Sequence, residues 1–347
     1  MPHRSLQAPP LYEFSGNHLE IGTSHGEQLR DSINTVYTFY REVTQDIPLA
    51  TLKKQAKLYQ EAITSHMPNV ADEIRGIARG SGLELWQVAF LNARSEIMMN
   101  RAFHQQAIGE CTVIYSPTTK LLAENWDWYL ELRDLACVVR AHQADGPALL
   151  FFTEPGLVAK VGLNSHGLGV GLSILESPTY EPGVPTHIAI RALLDQPSLP
   201  AATQVLEDPE MAMTSSLLIA DNNGHSCNYE FSGKNRRHLQ HRDKTVIHTN
   251  HYLLSPEHNS EDSQILAISE LRYTNMSHLA TQGRNNCPTE LLQLLTSLTV
   301  DQGGVYQAPS MFQGRMMGTV LSICLDLTKL SLHIQMAPDE PHTVYTL

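Results

Sequence analysis

Positive charge is scarce in this sequence: 24 Lys plus Arg stand against 36 Asp plus Glu, a formal charge of -12 over 347 residues. No field of that sign draws a nucleic acid or an anionic membrane to the surface as a whole, so the expected partner is a small molecule. The densest basic stretch, Arg236, Arg237, His238, His241, Arg242 and Lys244, reads as a solvated strand edge or loop. Cysteine is scarce too. The five, at 111, 137, 227, 287 and 324, form no C-x-x-C pair, which fits neither a disulfide framework nor a thiolate zinc site and points to a reducing cytoplasm. No run of 18 apolar residues occurs, and the proline-bearing stretch Met1 to Leu11 has no apolar core, so neither a membrane span nor a secretory leader is expected. There is no H-E-x-x-H, and the glycine-rich stretch Gly162 to Gly169 leads into a strand pattern rather than a helix start. Zincin and phosphate-cradle chemistry are thereby set aside, and no cofactor is expected.

What is abundant is core-forming material. Hydrophobic residues make up 42% of the chain and charged ones only 17%, which supports a large packed interior. From Asn17 to about Asn100 apolar residues recur every three or four positions, as at Leu29, Ile33 and Val36, the helical period. Gly80-Ser81-Gly82 ends one such helix, and Trp86 to Met99 continues as another. After Gly109 the pattern turns to β: Cys111 to Tyr115, the turn cluster Ser116-Pro117-Thr118-Thr119, and a returning strand from Leu121 to Trp126. Strands follow at Val138-Val139, Leu149 to Thr153, Val158 to Leu163 and Leu168 to Ile174. Helices after Pro185 and from Ala201 come next, then strands at Ser216 to Ala220, Asn228 to Phe231 and Thr245 to His248. A helical stretch from Ser263 to Leu298 precedes strands at Thr319 to Leu325 and Leu330 to Gln335. Each sheet must cover both apolar faces, so this order suggests two sheets packed face to face with helices outside.

Cys111 stands where the helical segment gives way to the sheet. A lone cysteine is usually a small buried hydrophobe, yet a thiol at such a junction can also meet substrate. If Tyr115 pairs with Lys120 across the turn, Cys111 pairs with Glu124, and Asn125 and Asp127 return to the thiol's end; the turn length decides whether they share its face. Asp127 is equally readable as a strand-end turn residue. His248-Thr249-Asn250-His251 closes a strand without a third ligand at zincin spacing. Asn250 there could serve a turn or donate to an oxyanion.

Several segments in order carry a resemblance: Leu19-Glu20-Ile21-Gly22-x-x-His25-Gly26, Glu73-Ile74-Arg75-Gly76-Ile77-Ala78-x-Gly80, Leu91-Asn92-Ala93-Arg94-Ser95-Glu96, Cys111-Thr112, Glu124-Asn125-Trp126-Asp127, Lys160-Val161-Gly162-x-Asn164-Ser165-x-Gly167, Gly183-Val184-Pro185-x-His187-Ile188 and His248-Thr249-Asn250-His251. From about Phe14 to Leu325 the chain resembles the acyl-coenzyme A:isopenicillin N acyltransferase family of N-terminal-nucleophile hydrolases. The resemblance implies an α+β fold, the four-layer αββα sandwich, as a single domain over 1-347. It implies cleavage between Glu110 and Cys111, giving a mostly helical segment 1-110 and a catalytic segment 111-347. Cys111 would be the nucleophile, its freed α-amine the base, with a reference pKa of about 7.7 to 8.0 suited to that task. By the same resemblance Asp127 orients the amine, Asn250 is the oxyanion donor and Ser232 lies near the site. Two departures stand out: Glu110 occupies the position before the nucleophile where penicillin-forming members carry Gly, and Gln307 falls where they carry an arginine. Arg315 lies near Gln307 in sequence without matching that position. The expected activity is a self-cleaving cysteine amidohydrolase or N-acyltransferase acting on a small N-acyl amine, with acyl-coenzyme A as a donor and the cleaved segment as a partner. The competing reading is an unprocessed binding or scaffold protein of the same fold.

Overall fold

The computed structural model describes residues 6–102, 110–175, 181–208, 210–259, 264–283, 286–338 and 340–347. Among them, two β-sheets lie face to face. The first joins β1 (Leu11–Gly16), β4 (Cys137–Gln143), β5 (Ala148–Thr153), β6 (Val161–Asn164), β7 (Leu168–Ile174), β8 (Ser215–Asp221), β9 (His225–Ser232) and β10 (Asn235–Arg242) in that spatial order. The second runs β11 (Val246–His248), β2 (Glu110–Ser116), β3 (Leu121–Tyr129), β13 (Arg315–Asp326), β14 (Ser331–Gln335) and β15 (Thr343–Thr346), with β12 (Ser310–Phe312) paired to β13. Neighbours are antiparallel except β1 and β4.

Strand alternation shows how the layers form. On β3, Leu122, Trp126 and Trp128 join the large core, while Leu121 and Ala123 face a second cluster built from α9 (Gln264–Thr281) and α10 (Pro288–Thr296). The first sheet is covered by α7 (Thr186–Leu194) and α8 (Leu199–Val205) together with the N-terminal helices α1 (His18–Gln28), α2 (Arg30–Val43), α3 (Leu49–His66), α4 (Pro68–Ser81), α5 (Leu85–Asn92) and α6 (Arg94–Ala102). The result is the four-layer αββα sandwich. Two of the sequence motifs owe their glycines to this packing. Helices α1 and α4 cross so closely that a Cβ on Gly22 would sit 2.0 Å from the Glu73 carbonyl oxygen, and one on Gly76 would sit 2.4 Å from that of Leu19.

The structure corrects the expected hairpin register. Ser116 pairs with Leu121 and Cys111 with Trp126, not Tyr115 with Lys120 and Cys111 with Glu124. Lys120 closes the turn in the left-handed region (φ 61°), its N–H donating to the Ser116 carbonyl at 2.8 Å, and this adds two residues to the register. A shift of two keeps every side chain on its face. Val158 is not in a strand, because its N–H is taken by Asn92 Oδ1 at 3.0 Å and β6 begins only at Val161. The Trp86 to Met99 helix breaks at Ala93 into α5 and α6. Strands β1, β10, β12 and β15 add to those expected; β10 is the exposed basic edge, whose Arg236 and Arg237 bind the carbonyls of Glu207 and Leu254.

Candidate active site

Residues alternate along the β2–β3 hairpin, so Cys111, Val113, Glu124 and Trp126 share the face turned to the first sheet, and Asn125 and Asp127 face α10. Cys111 is 4% exposed. Its backbone N–H donates to Asn250 Oδ1 at 2.7 Å, and Asn250 Nδ2 donates to the Ile174 carbonyl at 2.7 Å. Two residues after β11, Asn250 is carried to Cys111 by the pairing of β11 with β2, which sets His248 against Val113.

A second residue, unassigned by sequence reasoning, completes the clasp. Arg272 of α9 is fully buried, and its Nη1 donates to the Cys111 carbonyl at 2.6 Å and to Thr112 Oγ1 at 3.1 Å. Its Nη2 donates to Asn250 Oδ1 at 2.8 Å. Ser269, one turn earlier, holds the Asn250 backbone N–H through Oγ at 2.7 Å. A signal existed in the sequence: Ser269, Arg272, Met276 and Leu279 recur at helical spacing, and all four are buried, so a serine and an arginine sit on the apolar stripe of α9.

Burial first, then the Glu124 and Asp127 carboxyls, push the Cys111 thiol well above its ordinary range; Lys160 and the Asp127 backbone amide act the other way. Lys160 is 4% exposed and its Nζ lies 4.0 Å from the ring centroid of Trp126, the cross-strand partner of Cys111. Burial lowers its amine to about 8, against the pull of Glu154 and Cys111. Glu154 accepts from Lys160 Nζ at 3.2 Å, from Tyr40 Oη at 2.6 Å and from Arg94. Burial would raise the Glu154 carboxyl, but Arg94 and Lys160 outweigh it and hold it below the usual carboxylate range.

Asp127 pairs with Glu110, the residue before Cys111, and its Oδ1 accepts from Thr319 Oγ1 at 2.6 Å. Thr319 sits at a bulge in β13, where Arg133 takes the carbonyls of Thr319 and Val320 at 2.8 Å each. The Gln307 backbone N–H in turn reaches Thr319 Oγ1 at 2.9 Å, so Gln307 joins the Asp127 network through one hydroxyl. Arg315 instead pairs with Glu42 and Glu131 at the surface. Ser232 lines a recess of about 340 Å³ with Glu230, Arg236, Arg237 and Tyr252. His248 binds Glu230 at 2.8 Å and His251 binds Ser269 Oγ at 2.8 Å, so both imidazoles serve the loop that presents Asn250. Gly109 lies outside the described residues, and Glu110 opens β2.

The fold is thus a four-layer αββα sandwich, with Cys111 at the start of β2 on the face turned to the first sheet. Residues 115–336 match the family model described as acyl-coenzyme A:6-aminopenicillanic acid acyl-transferase, and the chain belongs to that family. It is 28% identical over 274 residues to the 40 kDa form of acyl-coenzyme A:6-aminopenicillanic-acid-acyltransferase of Emericella nidulans, covering 76% of this chain and 75% of that one. Among solved structures it is similar to a mutant of conjugated bile acid hydrolase from Clostridium perfringens, with a TM-score of 0.46 at 13% identity over 69% of this chain and 92% of that one. Penicillin V acylase from Agrobacterium tumefaciens gives a TM-score of 0.41 at 12% identity over 68% of this chain and 86% of that one. The chain is thus an enzyme of a family that acts on amide bonds. No helix among the described residues is long and apolar enough to cross a membrane.

Proposed function

We propose that this protein is a self-cleaving cysteine amidohydrolase or N-acyltransferase that works on a small N-acyl amine through an acyl-enzyme on Cys111. The observation that carries this reading is the clasp on residue 111: Asn250 Oδ1 holds its nitrogen at 2.7 Å and Arg272 holds its carbonyl at 2.6 Å. Pairing with β11 ends at Val113, so buried side chains rather than a neighbouring strand hold the Cys111 nitrogen and carbonyl, and that nitrogen is the atom an N-terminal nucleophile uses as its base.

Cleavage before Cys111 divides the chain into 1-110 and 111-347. Buried ion pairs that cross the cut, Arg94 with Glu154 and Glu73 with Arg191, keep the segments together. In the cut enzyme the α-amine takes the thiol proton, the sulfur attacks the acyl carbonyl, and the amine leaves with a proton. Asp127 beside the new terminus and Asn250 against its nitrogen orient the amine, and the Asn250 amide is the donor to the developing oxyanion. Water or an amine then receives the acyl group. The family relative's name makes acyl-coenzyme A the first donor to try. Ser232 and Gln307 are the substrate-contacting residues of this reading.

The test is intact mass and N-terminal sequencing of purified wild type beside Cys111→Ala. Two fragments with a new terminus at Cys111, absent from the alanine variant, are expected. A single 38.6 kDa chain that hydrolyses amides after the alanine substitution would end the proposal.

A further inference from the structure

Before cleavage residue 111 carries an amide rather than an amine, so the base that serves turnover does not yet exist. Some other group must take the thiol proton in the uncut chain. Glu124 has the placement. It pairs with Val113, which puts it diagonally across the hairpin from Cys111 on the same face, within reach of a long side chain directly or through one water. It is 1% exposed. One oxygen accepts from the Leu172 N–H at 2.8 Å, and the other is buried with no hydrogen-bond partner among the described residues. Facing β7 makes room for the carboxyl with glycine: a Cβ on Gly171 would lie 3.3 Å from Glu124 Oε2 and 2.9 Å from Val113 Cγ1. A buried carboxyl left half-partnered is costly to keep for structure alone, because an unsatisfied polar atom costs about 1 to 3 kcal/mol.

We infer that Glu124 is the general base of self-cleavage, distinct from the α-amine that serves turnover; the inference rests on the cleavage reading above. The Glu124 carboxylate takes the Cys111 S–H proton as the sulfur bonds to the Glu110 carbonyl carbon. The tetrahedral intermediate collapses with rupture of the Glu110–Cys111 C–N bond, and the departing nitrogen receives the proton back from Glu124. Water then adds to the thioester, the C–S bond breaks, and the products are the Glu110 α-carboxylate, the Cys111 thiol and its new α-amino group, which takes the proton the carboxyl releases. Proton and electron counts close with water as sole co-reactant.

Cys111 on β2, the Leu172 N–H on β7 and Lys160 lie on the side of Glu124, and Asp127, on the opposite face of the same strand, acts on it through its charge. Burial raises the Glu124 carboxyl to about 8, with the Leu172 N–H and the Lys160 ammonium pulling down and Asp127 pushing up. A base so raised is stronger than an ordinary carboxylate and still ionises near neutral pH.

The experiment follows cleavage by intact mass in full-length chain made by cell-free translation, between about pH 6 and pH 9.5. Wild type should cut faster as pH rises and level off above 8, and Glu124→Gln should cut at least about 10²-fold more slowly without that limb. Glu124→Ala should regain cleavage when formate is added and not when chloride is, a rescue that a merely structural role does not give. Wild type that cuts while Glu124→Gln matches its rate and pH profile overturns the inference and leaves Cys111 untouched. Folded Glu124→Ala without rescue by formate, or a wild-type profile flat across the range, overturns it as well, the latter without needing a variant. Wild type that never cuts removes the cleavage reading itself.

Discussion

Arg272 reaches the Cys111 carbonyl with Nη1 at 2.6 Å from a fully buried position on α9, and its Nη2 shares Asn250 Oδ1 with the Cys111 nitrogen. Two donors on Oδ1 and a carbonyl acceptor on Nδ2 fix which end of the Asn250 amide is which. The guanidinium fork therefore sets Cys111 and Asn250 at once. Arg272→Lys keeps the charge but replaces the fork with one compact ammonium, and kcat/KM should fall about tenfold to a hundredfold. Steady-state kinetics beside thermal unfolding is the check; a folded lysine variant with wild-type kcat/KM would show that the fork holds only the helix.

Asn250→Ala should lower kcat by about 10² to 10³, the usual loss of one oxyanion donor. Asn250→Asp separates the two ends of the amide, since it retains an acceptor for the Cys111 nitrogen and loses the donor. An oxyanion role requires the aspartate variant to fall as far as the alanine one. Single-turnover acylation of cut, folded protein measures both, and unchanged acylation would leave Asn250 a loop residue.

Acid should loosen the N-terminal helices against the sheet. Buried His25 accepts the Gly156 N–H on Nε2 at 3.1 Å, and burial, only partly offset by Glu73, lowers its imidazole to about 4. The unfolded chain binds this proton near pH 6.5, so the contribution is complete above pH 6.5 and is lost as pH falls toward 4, in all about 3 kcal/mol. Glu73 adds to the same direction lower down. Burial raises its carboxyl, but Arg191 and His18 hold it below the usual range, so its stabilisation goes as pH falls through that depressed value. Denaturant melts of wild type and His25→Gln at pH 7, 5.5 and 4.5 report the difference; parallel pH slopes would exclude His25 as a source.

The hairpin and the alternation of faces were legible because period-two patterning and turn residues are local. The register was not, since the left-handed Lys120 that sets it is one of few non-glycine residues in that region and carries no composition signal. Cys111 and Asn250 were readable as a pair only through the resemblance; their 139-residue separation closes when β11 meets β2. Arg272 and Lys160 were missed for a common reason. A basic residue on a helix or loop reads as solvated; the apolar stripe of α9 hints that Arg272 is buried, but only the contacts with Cys111 and Glu154 show what the two residues hold. Edge strands β1 and β15 escaped because half their residues face solvent and break the apolar run.

Substrate charge gives the remaining prediction. Gln307 is held by its backbone to Thr319, N–H to Oγ1 at 2.9 Å and C=O from the Thr319 N–H at 2.9 Å, while its Nε2 is buried without a hydrogen-bond partner among the described residues. A neutral amide at that point offers a carboxylate one ordinary hydrogen bond, where an arginine would offer a planar, charged fork. Wild type should therefore turn over neutral N-acyl amines better than matched substrates bearing a free carboxylate. Gln307→Arg should raise the relative kcat/KM for the carboxylate-bearing member by about tenfold to a hundredfold, the range expected when a hydrogen bond to a charged group worth about 1.5 to 3 kcal/mol is added. Arg315 is already engaged by Glu42 and Glu131 and should not respond to substrate charge. A wild-type preference for the carboxylate, unchanged by Gln307→Arg and lost in Arg315→Gln, would reverse both assignments and place charge recognition at the start of β13.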